Sequence, residues 1–347
     1  MLSKKEKIYI ITIGRSHLVD LALELNNQYD VFLITFWPSF KFPKNIKKLS
    51  LFILYLPFII TKIKILEKIA FSSLRLIKFK SPTIVDQNIA NYINSEILIL
   101  DSPTCSYSHQ IKVWSDAEIH TGCKVHRLSQ LKDRINFSAM KKNYKNAFSI
   151  LVPSRSSLST FDLEFHNKII VNPFKVSSES LKVNFNNLPG INLVFIGVIC
   201  PSKGFHLALE EINKYAHKIK SITFYGSISN DDYLFFIRNK FPQLNFIIKG
   251  FVKQSQMLKE LPNYNLGIIS SLSEGMSLSG IQLIESGVPV IATYYSGLSS
   301  ILDSQYIYNN NDELCDILKN IFINNIPYLY SKKKLDFNIK NILTQLI

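Results

Sequence analysis

The sequence lacks most of the features that mark secreted, metal-binding and membrane-spanning proteins. Its four cysteines have no metal or redox spacing, which favours reduced thiols and a cytoplasmic location. It has no Asp-x-Asp motif and no cluster of His and Cys, so we expect no metal ion and no cofactor. No signal peptide is expected either, because residues 1–7 lead directly into an apolar strand.

Long hydrophobic runs are also missing. The most apolar run, residues 51–60, is about half the length of a membrane-spanning helix, which needs roughly 20 residues, and Pro57 is expected to interrupt it. Within residues 41–80, only Glu67 opposes the basic side chains. These basic residues are Lys41, Lys44, Lys47, Lys48, Lys62, Lys64, Lys68, Arg75, Lys78 and Lys80.

Apolar density and positive charge therefore coincide in the segment 41–80. Such a segment is typical of a helix lying in the interface of an anionic membrane, where each Lys or Arg contributes about 1 kcal/mol. The alternative is a pair of amphipathic helices of the domain with solvated lysines. We favour membrane contact, which predicts a peripheral protein at the inner face of the cytoplasmic membrane.

Composition and charge limit the remaining classes of protein. With 347 residues, 47% hydrophobic and 19% charged, the chain suits two globular domains. Residues 1–180 hold 25 Lys and Arg against 14 Asp and Glu, whereas residues 181–347 hold 15 against 12. The net charge of +14 is therefore concentrated in the first half. Because the basic cluster lies among Leu, Ile and Phe, we favour a membrane over nucleic acid as the partner.

Apolar strands alternate with Gly turns and helices along the chain. Strands predicted at 8–13 and 31–36 flank the turn at Gly14, and this order indicates a parallel sheet with helices on both faces. Gly14 follows a strand at the sheet edge where open α/β sheets bind ligands. Residues 173–190, rich in Ser and Asn, are predicted to link the two domains. A further strand is predicted at 123–128.

The stretch 270–292 is the most informative part of the second half. It reads as a polar turn after the strand 266–269, then a helix, then a strand at 288–292. Small residues at Gly275 and Ser277 would leave backbone N–H groups free at the positive end of this helix, where a phosphate can bind. The bland alternative is an ordinary strand–helix–strand unit with a surface glutamate.

The residue order in this stretch resembles the nucleotide-sugar signature of GT-B glycosyltransferases, especially family 4. The positions in register are Ser271, Glu274, Gly275, Leu278, Gly287, Pro289, Val290, Ile291 and Ala292. The resemblance implies that Glu274, Gly275, Met276, Ser277, Leu278 and Gln282 contact the donor. One member of the pattern is changed, because a second Glu is replaced here by Gln282; the next carboxylate is Glu285.

Residues 195–204 resemble the second motif of family 4, in which an Arg and a Lys grip the donor diphosphate. The Lys corresponds to Lys203 and the Arg position is occupied by Val198. The resemblance implies that Lys203 and Glu274 are catalytic and that Gly197 lies at the donor. Loss of the Arg removes a bidentate contact and Gln282 lacks a charge, so we expect either weaker or altered nucleotide binding or a different donor nucleotide.

Candidates for acceptor activation lie in the first half. Asp101 and Asp116 are the candidate catalytic carboxylates, and His109, His126 and Arg127 are candidates for the acceptor side. Other titratable residues in this span are Glu118, His120 and Asp133. A general base must reach the acceptor hydroxyl, and each of these residues taken alone is more often structural than catalytic.

Together these features predict two Rossmann-like, doubly wound parallel-sheet domains of GT-B architecture facing a central cleft. Residues 1–175 would form the acceptor domain and 176–310 the nucleotide-sugar domain, with helices in 311–347 returning to the first domain. The resemblance, which covers about 190–300, implies a metal-independent bacterial glycosyltransferase. It would act on a lipid-linked or surface-polysaccharide acceptor of lipopolysaccharide, capsule or O-antigen type.

Two other classes of function remain open, and so does the stereochemistry. One is a sugar-nucleotide epimerase on the same fold, which sugar transfer to an added acceptor would exclude. The other is a non-catalytic module that binds glycan or a partner enzyme, which Val198 and Gln282 favour and tight nucleotide binding would oppose. The family resemblance suggests retention at the anomeric carbon, but the altered donor motifs leave the stereochemistry undecided.

Overall fold

Two parallel β-sheets with helices packed against them form the body of the protein. The computed structural model describes residues 5–13, 16–36, 46–77, 82–93, 99–101, 105–125, 128, 137–178, 180–185, 188–331 and 343. Within these residues, one sheet has seven strands and the other has six, and all pairings in both sheets are parallel. The predicted α/β class is therefore confirmed.

The elements are numbered in chain order. The strands are β1 (Lys7–Thr12), β2 (Asp30–Thr35), β3 (Lys47–Ser50), β4 (Thr83–Asp86), β5 (Ile99–Asp101), β6 (Ser149–Val152), β7 (Ile169–Val171), β8 (Ser180–Val183), β9 (Ile191–Ile196), β10 (Ile219–Tyr225), β11 (Phe246–Gly250), β12 (Leu266–Ile269), β13 (Val290–Thr293), β14 (Ile307–Tyr308) and β15 (Tyr328–Ser331). The helices are α1 (Ser16–Leu25), α2 (Phe52–Thr61), α3 (Lys64–Ser72), α4 (Tyr107–Thr121), α5 (Phe137–Asn146), α6 (Arg155–Leu158), α7 (Phe205–Asn213), α8 (Asp231–Lys240), α9 (Gln254–Glu260), α10 (Leu278–Glu285) and α11 (Asn311–Phe322).

The first six strands of the first sheet follow the same order as the six strands of the second. The first runs β3-β2-β1-β4-β5-β6-β7 and the second runs β11-β10-β9-β12-β13-β14. In each sheet the order reverses once, between β1 and β4 in the first and between β9 and β12 in the second. Open α/β sheets bind ligands at the carboxyl ends of the strands beside this reversal. The topology therefore points to the turns after β9 and β12.

Apolar residues on both faces of the strands explain why helices cover both sides of the first sheet. In β1, Ile10 packs into one hydrophobic cluster with Leu18 of α1, while its neighbour Ile11 packs into another with Val85 of β4. A strand that is buried on both faces reads as a continuous apolar run, as β1 does. The second domain has a single large cluster around β9, which includes Leu193, Val194 and Phe195.

Three local predictions from the sequence are wrong. The described part of the predicted strand 123–128 contains no strand, because α4 extends to Thr121 and ends in a left-handed Gly122. Pro57 does not interrupt α2, whose aromatic side chains pack on the first-domain core. The predicted linker 173–190 contains β8, which pairs with β15, because its flanking apolar residues are buried in the second-domain core.

The predicted C-terminal segment 311–347 is divided between the two domains. Helix α11 buries Leu314, Leu318 and Phe322 in the second-domain cluster. Leu343 is fully buried in the first-domain cluster that contains Ile8 and Leu18. The rest of the segment 311–347 beyond Ser331 lies outside the described residues.

We predict that Leu343→Ala destabilises the first domain. A buried Leu→Ala change costs about 2–5 kcal/mol, because apolar contacts are lost and a cavity remains. Leu329→Ala is the control, since Leu329 is 46% exposed and its truncation should cost less than about 1 kcal/mol. Both tryptophans lie in residues 1–175, so urea unfolding followed by tryptophan fluorescence reports this domain. Equal midpoints for the two variants would show that Leu343 does not support it.

Candidate functional site

Two turns meet at the reversal point of the second sheet. The lysine turn, residues 197–204, follows β9, and the signature loop, residues 270–277, follows β12. The hydroxyl of Ser270 donates to the carbonyl oxygen of Lys203 at 2.7 Å. The backbone N–H of Leu272 donates to the carbonyl oxygen of Ser202 at 3.1 Å. The two sequence motifs, about 70 residues apart, therefore form one surface.

Glycine is required at two positions for this close approach. Gly204 has a φ of +61°, and a Cβ atom there would lie 2.2 Å from the carbonyl oxygen of Ser270. Gly197 has a φ of +149°, and a Cβ atom there would lie 3.2 Å from Cε of Lys203. The lysine side chain therefore runs across the bare backbone of Gly197 towards the signature loop.

Lys203 and Glu274 form an ion pair across the two turns. The hydroxyl of Ser271 also donates to Glu274 Oε1, at 2.8 Å, and the two charged side chains are 24% and 18% exposed. Burial alone would raise the pKa of Glu274, but the Lys203 ammonium and hydrogen bonds from Lys203, Ser271 and Ser277 lower it below its usual value. The two residues expected to bind the donor thus neutralise each other here.

The start of α10 has the geometry of an anion site. Ser277 caps the helix by accepting from the N–H of Gly280 at 3.3 Å, and its own N–H donates to Ser296. Among the described residues, the backbone N–H groups of Leu278 and Ser279 have no hydrogen-bond partner. These donors lie at the positive end of the helix dipole. Gln282, one turn further along the helix, is half-buried.

Residues of the first domain hold the signature loop from the other side. Ser154 and Ser157 donate from their hydroxyls to the carbonyl oxygen of Gly275, at 2.7 and 3.1 Å. The thiol of Cys105 donates to the carbonyl oxygen of Glu274 at 3.0 Å. Burial raises the pKa of Cys105 to about 11, so the thiol keeps its proton. Ser154 also caps α6, because its hydroxyl accepts from the backbone N–H of Ser157 at 3.1 Å.

Phe174 and Met276 add a further contact at this seam between the domains. The backbone N–H of Phe174 donates to Met276 Sδ at 3.3 Å, and the Met276 side chain is buried. Gly275 is therefore positioned by contacts with the first domain, and Met276 by a contact with Phe174, which packs against the second-domain core. The signature loop is the point at which the donor motifs and the first domain meet.

The first-domain candidates lie in different places. Asp101, at the end of β5, accepts from His17, which sequence reasoning missed. His109 stacks near Tyr295, with ring centroids 5.2 Å apart, and Tyr295 in turn accepts from the N–H of Glu274. Burial and the charge of Lys112 lower the pKa of His109. His109 is thus brought towards the signature loop, and Asp101 is held by His17.

The structure does not bring the other first-domain candidates to the signature loop. Asp116 is exposed on α4, on the face opposite the buried Trp114. Glu118 accepts from the backbone N–H of Val125 at 2.5 Å and His120 stacks near His206, which are structural contacts. The remaining candidates, Gly14, His126, Arg127 and Asp133, lie outside the described residues. Within the described part of the chain, no three His, Cys, Asp or Glu side chains are grouped as metal ligands would be.

We predict that Gly204→Ala disrupts the junction of the two turns. Gly250 has a similar φ of +67° but nothing within 4 Å of a Cβ atom, so Gly250→Ala isolates the backbone cost of about 1–2 kcal/mol. Gly204→Ala adds the collision with Ser270 and should lower the free energy of unfolding by at least about 3 kcal/mol. Urea unfolding followed by circular dichroism measures the free energy of unfolding of both variants. Equal losses of stability in the two would contradict the close approach of Gly204 to the carbonyl oxygen of Ser270.

Comparisons with known proteins agree with this geometry. Residues 190–322 match the family model described as Glycosyl transferases group 1. The matched residues make up less than half of the chain. No curated protein sequence matches significantly. Among solved structures, one similar protein is a TarM variant from S. aureus in complex with fondaparinux, alpha-GlcNAc-glycerol and UDP. Its TM-score is 0.58 at 12% identity, and the match covers 91% of this chain and 93% of that chain.

Two further structures have the same architecture. Sucrose-phosphate synthase from Thermosynechococcus elongatus gives a TM-score of 0.58 at 11% identity, covering 91% of this chain and 90% of that one. HepE from Anabaena, in complex with UDP and glucose, gives a TM-score of 0.55 at 11% identity. The match covers 92% of this chain and 90% of that one. At such identities the likeness shows the fold. The resemblance read from the two motifs is confirmed over residues 190–322, which match the Glycosyl transferases group 1 model, and the chain shares the GT-B fold of these structures.

Proposed function

We propose that the protein transfers a sugar from a nucleotide-activated donor, bound at the lysine turn and signature loop, to a glycan acceptor. The acceptor is a lipid-linked or surface-polysaccharide glycan of lipopolysaccharide, capsule or O-antigen type, met at the inner face of the cytoplasmic membrane. One observation carries the donor half: the ammonium of Lys203 and the first turn of α10 converge on one surface at the sheet reversal.

This surface suits a diphosphate. A cation and unpartnered backbone N–H groups at a helix N-terminus together stabilise the charge of phosphate oxygens. They also stabilise the negative charge that develops on a departing nucleoside diphosphate. Two of the similar structures, TarM and HepE, contain UDP, which supports a nucleotide at this fold. No metal is part of this proposal, because lysine and helix dipole supply the positive charge.

The ion pair gives the site two states. Without donor, Lys203 is paired with Glu274; a bound diphosphate competes with the carboxylate for the ammonium. Once released, Glu274 has a free oxygen that can accept hydrogen bonds from hydroxyls of the donor sugar. Binding of the phosphates would in this way prepare the carboxylate for the sugar.

Val198 and Gln282 set this donor site apart from its relatives. A site with one lysine in place of an Arg–Lys pair has a single point charge for the diphosphate. Gln282 offers a carbonyl acceptor and an amide donor where the family pattern has a carboxylate. We infer that the affinity for the nucleotide is lower than in the family, or that the nucleotide differs.

We predict that Lys203→Ala removes nucleotide binding. Calorimetry against UDP, GDP, ADP, dTDP and CMP should find one nucleotide that binds the wild type, with at least a tenfold loss in the variant, about 1.4 kcal/mol. Lys240→Ala is a matched control, because Lys240 pairs with Glu210 at 2.5 Å on the same domain. Equal binding by Lys203→Ala and wild type would refute the donor site. Binding of no nucleotide would favour the non-catalytic module.

The membrane half of the proposal rests on the outer surface of α2 and α3. Their inner faces pack on the first-domain core through Tyr55, Phe58 and Phe71, and the hydroxyl of Tyr55 donates to Glu67 at 3.0 Å. Their outer faces carry large apolar side chains that are 37–81% exposed. These residues are Ile53, Leu54, Leu56, Ile60, Ile63, Ile65 and Ile69. This set is called the α2–α3 apolar surface.

Seven exposed large apolar side chains within residues 53–69 are uncommon on a monomeric protein, and such exposure favours a binding surface. Lys62, Lys64 and Lys68 lie among these residues, so the same surface is apolar and positively charged. None of the helices in the described residues is both long and apolar enough to span a membrane. The combination fits helices that lie in the headgroup region of an anionic bilayer.

We predict that the protein sediments with vesicles of anionic lipid at low salt and much less with neutral vesicles. Replacing Ile53 and Ile60, which are 81% and 72% exposed, by Asn should weaken this binding at least tenfold, because the apolar contribution is lost. Ile119→Asn on α4 is the matched control, since Ile119 is also 81% exposed. A wild type that stays in solution with anionic vesicles at low salt would disprove membrane contact.

A further inference from the structure

Three serines at the start of α6, in the first domain, lie against one peptide group of the signature loop. Ser154, Ser156 and Ser157 are all fully buried. The hydroxyls of Ser154 and Ser157 donate to the carbonyl oxygen of Gly275 at 2.7 and 3.1 Å. Within the described residues, the Ser156 hydroxyl contacts only Ser154, at 2.9 Å. Two of the three serines therefore reach across the seam between the domains, and the third does not.

One assignment of the protons satisfies all three hydroxyls. Ser154 Oγ has two lone pairs, and one of them accepts from the backbone N–H of Ser157 at 3.1 Å. The other lone pair accepts from the hydroxyl of Ser156, so the proton of Ser154 is directed at Gly275. The hydroxyl of Ser157 donates to the same carbonyl. Both lone pairs of the Gly275 carbonyl oxygen are thus occupied by the first domain.

These bonds fix the direction of the peptide group between Gly275 and Met276. The peptide is planar and trans, so its N–H points away from its carbonyl oxygen. Another part of the second domain also crowds this carbonyl, since a Cβ atom on Gly297 would lie 2.1 Å from its oxygen. Held in this way, the N–H of Met276 points away from the serines of the first domain.

The neighbouring N–H groups show which donors of the loop are left over. Those of Glu274 and Ser277 donate to the carbonyl oxygens of residues 295–296. Those of Gly275 and Met276 have no partner among the described residues, although both residues are buried. Buried backbone N–H groups are nearly always paired, because an unpaired one costs free energy. Two in succession call for acceptor oxygens from a ligand.

These two N–H groups lie within the proposed donor surface. Glu274, which pairs with Lys203, comes directly before them in the sequence, and α10 begins two residues after Met276. The N–H of Gly275 is directed by the same rule as that of Met276, because the thiol of Cys105 donates to the carbonyl oxygen of Glu274 at 3.0 Å. Hydroxyls and a thiol of one domain therefore orient donors of the other.

We propose that Ser154 and Ser157 are positioning residues of the donor site. By holding the carbonyl of Gly275, they aim the N–H of Met276 at an oxygen atom of the donor, either of the diphosphate or of the transferred sugar. This inference rests on the proposed function. The donor site of the second domain is then complete only while the first domain is in contact with the signature loop.

The serines act by restricting rotation of the peptide group. Without their hydroxyls the group can turn more freely, because Gly275 has no Cβ atom to oppose rotation. Binding of the donor must then supply the free energy that orders the N–H of Met276, so affinity falls. Serines that only joined the two domains would affect thermal stability and leave donor affinity unchanged.

The experiment measures affinity by calorimetry on the full-length protein. The variants are Ser157→Ala, the double variant Ser154→Ala/Ser157→Ala, and Ser156→Ala. The ligands are the nucleoside diphosphate that binds the wild type, its monophosphate and its glucose ester, which is UDP-glucose if UDP binds. Ser157→Ala keeps the cap of α6, which uses only the backbone N–H of residue 157. Ser156→Ala is the matched control, because Ser156 is equally buried but does not contact Gly275.

We expect the glucose ester to bind at least about threefold more weakly to Ser157→Ala and at least about tenfold more weakly to the double variant. Binding to Ser156→Ala, and binding of the monophosphate to every variant, should stay within about twofold of wild type. A loss that is already present with the diphosphate identifies a phosphate oxygen as the partner of the Met276 N–H. A loss confined to the glucose ester identifies a sugar hydroxyl.

Three results separate this inference from its alternatives. Wild-type affinity of folded Ser157→Ala for both the diphosphate and the glucose ester would overturn it, and so would an equal loss for all three ligands. Thermal melting shows that each variant is folded, and Ser157→Ala decides the matter if the double variant is not. A wild type that binds no nucleotide would refute the donor site itself, and this inference with it.

Discussion

The close packing of two backbone turns is the constraint on which the proposed donor site depends. Gly204 has no side chain, so the lysine turn can lie against the carbonyl of Ser270, and this contact fixes the position from which Lys203 extends. Lys203 then crosses Gly197 and meets Glu274. A cation, a carboxylate and the start of α10 are placed together because the reversal of strand order between β9 and β12 opens a gap above both strands.

The same loop couples the two domains. The carbonyl oxygen of Gly275 accepts from two serines of the first domain, and that of Glu274 accepts from Cys105. The signature loop is therefore held in place by hydrogen bonds from the first domain as well as by its own strand and helix in the second.

The sequence predicted the local shape of the signature loop better than the contacts of the first-domain candidates, for a physical reason. Motifs such as residues 270–277 are local, because a turn and a helix cap are made by neighbours in sequence, and Ser277 caps α10 where the pattern placed the helix start. The His17–Asp101 pair is made by strand order, which sequence spacing does not reveal. The error at 173–190 has the same cause, since β8 exists only through its pairing with the distant β15.

The central claim is that a donor diphosphate takes Lys203 from Glu274. Calorimetric affinity of Glu274→Gln for the nucleoside diphosphate that binds the wild type tests this most directly. The account predicts tighter binding by the variant, because the diphosphate no longer competes with a carboxylate for the ammonium, together with loss of sugar transfer. Weaker or unchanged binding of the nucleoside diphosphate would contradict it.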